Sequence, residues 1–225
     1  MVVDVHGGPA GDSTSKWPMP FYNTEVLSGI GYFVFFPNPR GSLGSGEAFT
    51  QGNVKDIGYG DLKDITTGVE YLLGTLPIDP NRVGITGWSY GGYMAMWAGT
   101  QTTLFKASVA GPGASNWQSY YGQVDIENWL LPYFGESVYD NPAIYAKSSP
   151  INFISKDKTP TMMYAGSIDP VCPTPQSYEL YRALEHLGVP TSMVIYPGET
   201  HGLAIPKYQR AVTLAAADWF MKYMP

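Results

Sequence analysis

A serine with a glycine two residues before it and another two after it is the first group in this sequence whose setting could do chemistry. In Gly84-Ile85-Thr86-Gly87-Trp88-Ser89-Tyr90-Gly91-Gly92, the run Arg82 to Thr86 reads as a short buried strand. Met94, Ala95, Trp97 and Ala98 then continue as a helix. A strand that turns this sharply into a helix leaves the serine in strained backbone. The flanking positions, Gly87 and Gly91, must lack side chains so that strand and helix can pass closely. Ser89 Oγ would project above the sheet, with the free N–H groups of the helix N-terminus beneath a developing oxyanion. The chemistry implied is nucleophilic attack by a hydroxyl, which needs a base for its proton and an acid to hold that base.

The chain has three histidines. His186 falls late in a helical pattern and reads as an ordinary exposed residue. His6 follows the first strand. His201 follows the last strand on a glycine-flanked loop, where a base could reach Ser89. The acid should follow the penultimate strand, as Asp169 does, whereas Asp157 precedes that strand and lies at the wrong end of a sheet. Two oxyanion donors are required. One is the N–H of Tyr90, the residue after the nucleophile. The other should come from the loop after the first strand, where Gly7 and Gly8 let backbone N–H groups approach a ligand. The same two glycines also suit a plain tight turn.

Apolar runs that could carry these loops occur at 2–5, 31–36, 82–86, 105–110, 161–165 and 192–196. The continuous run Gly31 to Phe36 reads as a strand covered on both faces. Helical patterns cover about 21–28, 60–73, the residues after Ser89, 176–187 and 208–223. From Trp117 to Pro150 the chain is aromatic and weakly periodic, like a cap inserted over the sheet. Strands alternating with helices imply a doubly wound, mostly parallel sheet. In such sheets functional groups gather beyond the C-terminal strand ends, where His6, Arg40, Ser89, Gly111, Asp169 and His201 would meet. The order Ser…Asp…His is that of the α/β-hydrolase fold.

The 225 residues suit one domain, 1–225, with no linker or repeat. A formal net charge of −6 without any Lys/Arg run argues against nucleic acid or an anionic membrane surface as partner. No apolar run approaches the ~20 residues of a membrane span. No leader pattern is visible, so the expected location is cytoplasmic. The single cysteine, Cys172, excludes an intramolecular disulfide framework. It could be a second nucleophile, but reads better as a small buried hydrophobe beside Asp169. Neither a metal-ligand spacing nor a dinucleotide or phosphate loop is present, so no cofactor and no metal are expected.

A set of motifs runs through nearly the whole chain in order: His6-Gly7-Gly8-Pro9, Asn38-Pro39-Arg40-Gly41-Ser42, Gly87-Trp88-Ser89-Tyr90-Gly91-Gly92-Tyr93, Ser149-Pro150, Gly166-x-x-Asp169, Tyr181-Arg182-Ala183-Leu184 and Tyr196-Pro197-Gly198-Glu199-x-His201-Gly202. In these the chain resembles the catalytic domain of the prolyl oligopeptidase family of serine peptidases, in its dipeptidyl-peptidase-IV and acylaminoacyl-peptidase branches. The resemblance implies a triad of Ser89, Asp169 and His201. It implies oxyanion donors at Tyr90 and near His6 to Gly8, and a substrate pocket walled by His6, Trp117 and Tyr120. Trp88 and Tyr93 read as packing residues. Three departures stand out. The family's β-propeller is absent; Pro170-Val171-Cys172-Pro173 follows the acid where the family often shows x-x-Val-Pro; and the two strands that normally open the fold are missing. The strand 31–36 should then lie on an open edge, an invitation to pair with another copy or with the rest of a longer parent. The expected substrate is a small ester or a peptide, with esterase activity on short acyl groups favoured. The rival expectation is a truncated, inactive domain used for binding or assembly.

Overall fold

A computed structural model of the chain describes residues 1–15 and 24–225. The strands are β1 (Val2–Val5), β2 (Val34–Phe35), β3 (Gly84–Gly87), β4 (Ala107–Ala110), β5 (Thr161–Gly166) and β6 (Thr191–Tyr196). They form one sheet in the order β2-β1-β3-β4-β5-β6, and every pairing is parallel. The helices are α1 (Val26–Gly29), α2 (Glu47–Thr50), α3 (Gly60–Thr75), α4 (Tyr90–Gln101), α5 (Trp117–Tyr121), α6 (Leu130–Phe134), α7 (Pro142–Ala146), α8 (Thr174–His186) and α9 (Pro206–Tyr223).

The period-two geometry of a strand sorts its side chains between two cores. Val3, Val5, Ile85, Ala110 and Met163 join the core made with α3, α4 and α8, where Ile65, Val69, Leu180 and Leu184 are fully buried. Val2, Ala107, Val109, Met162 and Tyr164 turn to the opposite face, covered by Leu27 of α1 and by Val212, Ala216 and Phe220 of α9. Helices on both faces are what a parallel sheet needs to bury both its sides. Burial at 62, 65 and 69 along α3 follows the helical period that the sequence shows. α4 is buried nearly all round, because it lies between the sheet and the 3-10 turn Pro150–Lys156, with Trp117 packed on Tyr93.

Two expectations are corrected. The run 31–36 contributes only Val34 and Phe35 to the sheet, and Phe33 and Phe36 are 42% and 39% exposed. β2 pairs with β1 alone among the described residues, so it lies at the expected edge of the sheet, but the run is not covered on both faces. The helix expected over 21–28 begins outside the described residues, and its described part is the single turn α1. The weakly periodic 117–150 segment is three short helices and one 3-10 turn. Among the described residues no helix is long and apolar enough to cross a membrane.

Candidate active site

Because the six strands among the described residues run the same way, the loops leaving their C-terminal ends share one rim of the sheet. The turn after β3 is the sharpest. Ser89 has φ 61° and ψ −118°, a left-handed backbone that non-glycine residues seldom adopt. The flanking glycines are steric necessities: a Cβ on Gly87 would sit 2.5 Å from Val5 O, and one on Gly91 would land on the same oxygen. Ser89 therefore stands at the head of α4, with the Tyr90 N–H among the first unpaired donors of that helix.

Asp169 follows β5 and is held by three donors. Its Oδ1 accepts from the N–H groups of Val171 (2.9 Å) and Cys172 (2.8 Å), and its Oδ2 lies 2.8 Å from His201 Nδ1. The Asp169 carboxylate is fully buried, whereas the His201 side chain is 25% exposed. A carboxylate accepts only, so the proton sits on His201 Nδ1 and Nε2 of the neutral ring is the free base. The His201 ring lies 5.7 Å from that of Trp88, the residue before Ser89, and the Trp88 ring lies 5.5 Å from Tyr164. Ser89, Asp169 and His201 are thus collected at one rim, as are Gly7 and Gly8. A Cβ on Gly7 would come 3.2 Å from Ser89 Cβ, so the glycine lets this loop close onto the nucleophile. Gly8, with φ 142°, lines the pocket in front of Ser89.

That pocket has a free volume of about 30 Å³ and is walled by Trp117, Tyr120, Tyr93, Trp129, Val171 and Cys172. Trp117 and Tyr120 stand where the sequence expects them, with their rings 5.2 Å apart at 82°. Tyr93, expected to be packing alone, both packs on Trp117 (4.8 Å) and lines the pocket. His6 departs from expectation. Its Nδ1 lies 2.7 Å from Gly7 O and its Nε2 2.9 Å from Ser42 Oγ, so the ring braces the glycine loop instead of walling the pocket. Burial pushes the His6 pKa down, consistent with a neutral ring that donates to the carbonyl and accepts from the hydroxyl. Ser42, in the motif after β2, carries no advance sign of this role. Cys172 is buried against Ser89 and the Tyr120 hydroxyl, and desolvation drives its thiol pKa far above the ordinary range. Trp129 is a further wall that its place in an aromatic, aperiodic stretch did not single out. Among the described residues no group of three or more His, Cys, Asp or Glu side chains could hold a metal ion.

A parallel sheet flanked by helices, with a strained serine after its third strand and an Asp–His pair after its last two, defines the α/β-hydrolase class. The acylaminoacyl peptidase of Pyrococcus horikoshii superposes with a TM-score of 0.93 at 32% identity, over 99% of this chain and 37% of that one. A puromycin-hydrolyzing peptidase of Mycobacterium tuberculosis gives 0.92 at 27% identity, over 99% of this chain and 34% of that one. The model of the prolyl oligopeptidase family, Peptidase_S9, matches residues 18–225, and the chain belongs to that family of serine peptidases. Among curated relatives, the uncharacterized peptidase YuxL of Bacillus subtilis is 34% identical over 91% of this chain and 31% of its own. The acylamino-acid-releasing enzyme of Arabidopsis thaliana is 32% identical over 99% of this chain and 30% of its own. The chain therefore spans about a third of the length of these relatives.

Proposed function

We propose that this chain is a serine hydrolase acting through Ser89, His201 and Asp169 on ester or peptide bonds. The observation that carries the reading is the Asp169 Oδ2 to His201 Nδ1 hydrogen bond of 2.8 Å at the rim that also presents the strained Ser89. His201 Nε2 takes the Ser89 hydroxyl proton as Oγ attacks the carbonyl carbon. The imidazolium that forms is stabilised by Asp169. The carbonyl oxygen becomes an oxyanion, which accepts hydrogen bonds from the Tyr90 N–H and from the Gly7-Gly8 loop. Collapse returns the proton from His201 to the leaving alcohol or amine and leaves an acyl-enzyme, and water repeats the cycle to free the acid.

The acyl side chain enters the aromatic pocket beside Cys172 and Trp117. Its small free volume favours short acyl groups. An alkoxide or phenolate leaves with less protonation than an amine requires, so short-chain p-nitrophenyl esters should be cleaved faster than matched aminoacyl or dipeptidyl amides. A fluorophosphonate probe on the purified chain provides the primary check. Wild type should label and Ser89→Ala should not, with hydrolysis falling by about 10³–10⁶-fold. Labelling of neither protein would leave a non-catalytic module, and faster amide than ester cleavage would reverse the substrate ranking.

A further inference from the structure

Tyr90 does two things in this fold. Its peptide N–H is the oxyanion donor of the proposed reaction, on which this inference rests, and its side chain runs inward from the head of α4. The residue is 5% exposed, and its hydroxyl donates to Asp61 Oδ2. Asp61 is fully buried in the first turn of α3, 29 residues away along the chain. Its carboxylate is itself pinned, with Oδ1 accepting from Leu62 N–H (2.8 Å) and Oδ2 from Gly58 N–H (3.3 Å). The fully buried Asn53 side chain lies beside both Asp61 and Tyr90. The nearby cation does not neutralise the carboxylate, because the Arg40 guanidinium is taken by Asp64 through Nε (2.8 Å) and Nη2 (2.7 Å).

A carboxyl group in this position is costly to the fold, because burying it opposes ionisation even with several donors in place. Burial pushes its pKa up to about 6 against the lowering by Tyr90 and the backbone N–H groups. An apolar side chain would fill the same space without that penalty, so the group calls for a role beyond packing. We propose that Asp61 is a positioning residue for the reaction, holding the Tyr90 peptide N–H at the oxyanion site through the Tyr90 hydroxyl. The lever matters because the preceding residue is strained. Ser89 at φ 61° lies outside the ordinary minima, so the orientation of the Ser89–Tyr90 peptide depends on its surroundings. Anchoring the Tyr90 side chain at both ends, Cα in the helix and hydroxyl on Asp61, leaves that peptide one orientation. Pre-orienting a donor is worth the most where charge develops during the reaction.

The experiment compares Tyr90→Phe and Asp61→Asn with wild type in ester hydrolysis, and adds the double variant. Tyr90→Phe keeps the ring and removes only the hydroxyl. In Asp61→Asn a single acceptor must serve the Leu62 N–H on one side and the Gly58 N–H with the Tyr90 hydroxyl on the other, so the amide NH2 either faces Leu62 N–H or faces Gly58 N–H and reverses the bond to Tyr90. Each single variant should lose about 10- to 100-fold in kcat with KM changed less than threefold, below the 10²–10³ lost when an oxyanion donor is removed outright. The double variant should be no slower than the worse single one, since both break one linkage. A general loosening of the fold would instead raise KM, lower the melting temperature and add in the double variant. Folded Tyr90→Phe with kcat within twofold of wild type overturns the proposal, whether or not Asp61→Asn folds. Wild-type inactivity, or undiminished hydrolysis by Ser89→Ala, would instead count against the hydrolase reading itself.

Discussion

Asparagine at position 169 is the substitution that most sharply separates orientation from mere proximity. The two oxygens of Asp169 have different partners: Oδ1 receives two backbone N–H groups, from Val171 and Cys172, and Oδ2 receives His201 Nδ1. An asparagine side chain has one acceptor to offer. Placing its NH2 against the two backbone donors would leave buried N–H groups facing each other, at about 1–3 kcal/mol for each unpaired group. The amide oxygen therefore stays with Val171 and Cys172, and the NH2 turns to the imidazole. His201 Nδ1 must then accept, its proton moves to Nε2, and the nitrogen needed to take the Ser89 proton is already protonated. Wrong-tautomer variants of such triads lose about 10⁴-fold in kcat, which corresponds to about 5 kcal/mol at 1.36 kcal/mol per factor of ten. The assay is short-chain p-nitrophenyl ester hydrolysis at neutral pH by Asp169→Asn, with Ser89→Ala as baseline and thermal melting to confirm the fold. An Asn variant that keeps more than a tenth of wild-type kcat refutes the tautomer argument.

Asp4, partly buried in β1, accepts from Thr24 Oγ1 at 2.6 Å, and desolvation raises its pKa to about 7. The folded chain then keeps a proton that the unfolded chain sheds, so stability falls as pH rises from about 4 to 7. Asp4→Asn should flatten the decline in melting temperature between pH 5 and pH 8; an unchanged slope would place the titration elsewhere. Gly91→Ala drives a Cβ into Val5 O, between two backbone segments that cannot yield. It should cost more than about 4 kcal/mol, seen as insoluble protein or a melting temperature lower by about 10 °C; a shift under 3 °C would contradict the close approach. The Cys172 thiol, buried and with its pKa driven up by desolvation, should resist iodoacetamide at neutral pH until the chain unfolds. Alkylation of the native protein at the rate of a free thiol would show that the pocket exposes it.

The parts legible in the sequence are those whose constraints are local. Gly87-x-Ser89-x-Gly91 announces a turn because each glycine answers a clash set within a few residues and by the neighbouring strand, and the structure shows the same clash at Val5 O. Parallel order followed from alternating apolar strands and helical periods, since a crossover that returns to the same sheet leaves few alternatives. The run 31–36 lies at the edge that the missing first strands imply, but its length and cover misled for an equally physical reason. Continuous hydrophobicity reports that a segment seeks cover, but cannot say how many neighbours provide it. At an edge with a single partner, two residues pair while Phe33 and Phe36 face outward.

Contacts between distant segments stayed hidden, and they are the ones that hold the candidate site in shape. The family resemblance places His6 among the pocket residues. His6 braces the glycine loop only because Ser42, 36 residues on, comes within hydrogen-bond reach of its far nitrogen. Asp61 belongs to no motif singled out in the sequence, and an acid in the first turn of a helix is a commonplace surface residue. Burial beneath α4 and the Tyr90 hydroxyl give it a partner that periodicity cannot reveal. Both residues hold the segments that carry the candidate oxyanion donors rather than touching a substrate, which is why searching for nucleophiles, bases and acids passes over them. If the oxyanion geometry depends on such braces, hydrolytic power in this chain is spread across three loops and two helix heads. Three side chains transplanted at the correct distances would then recover only a fraction of its rate.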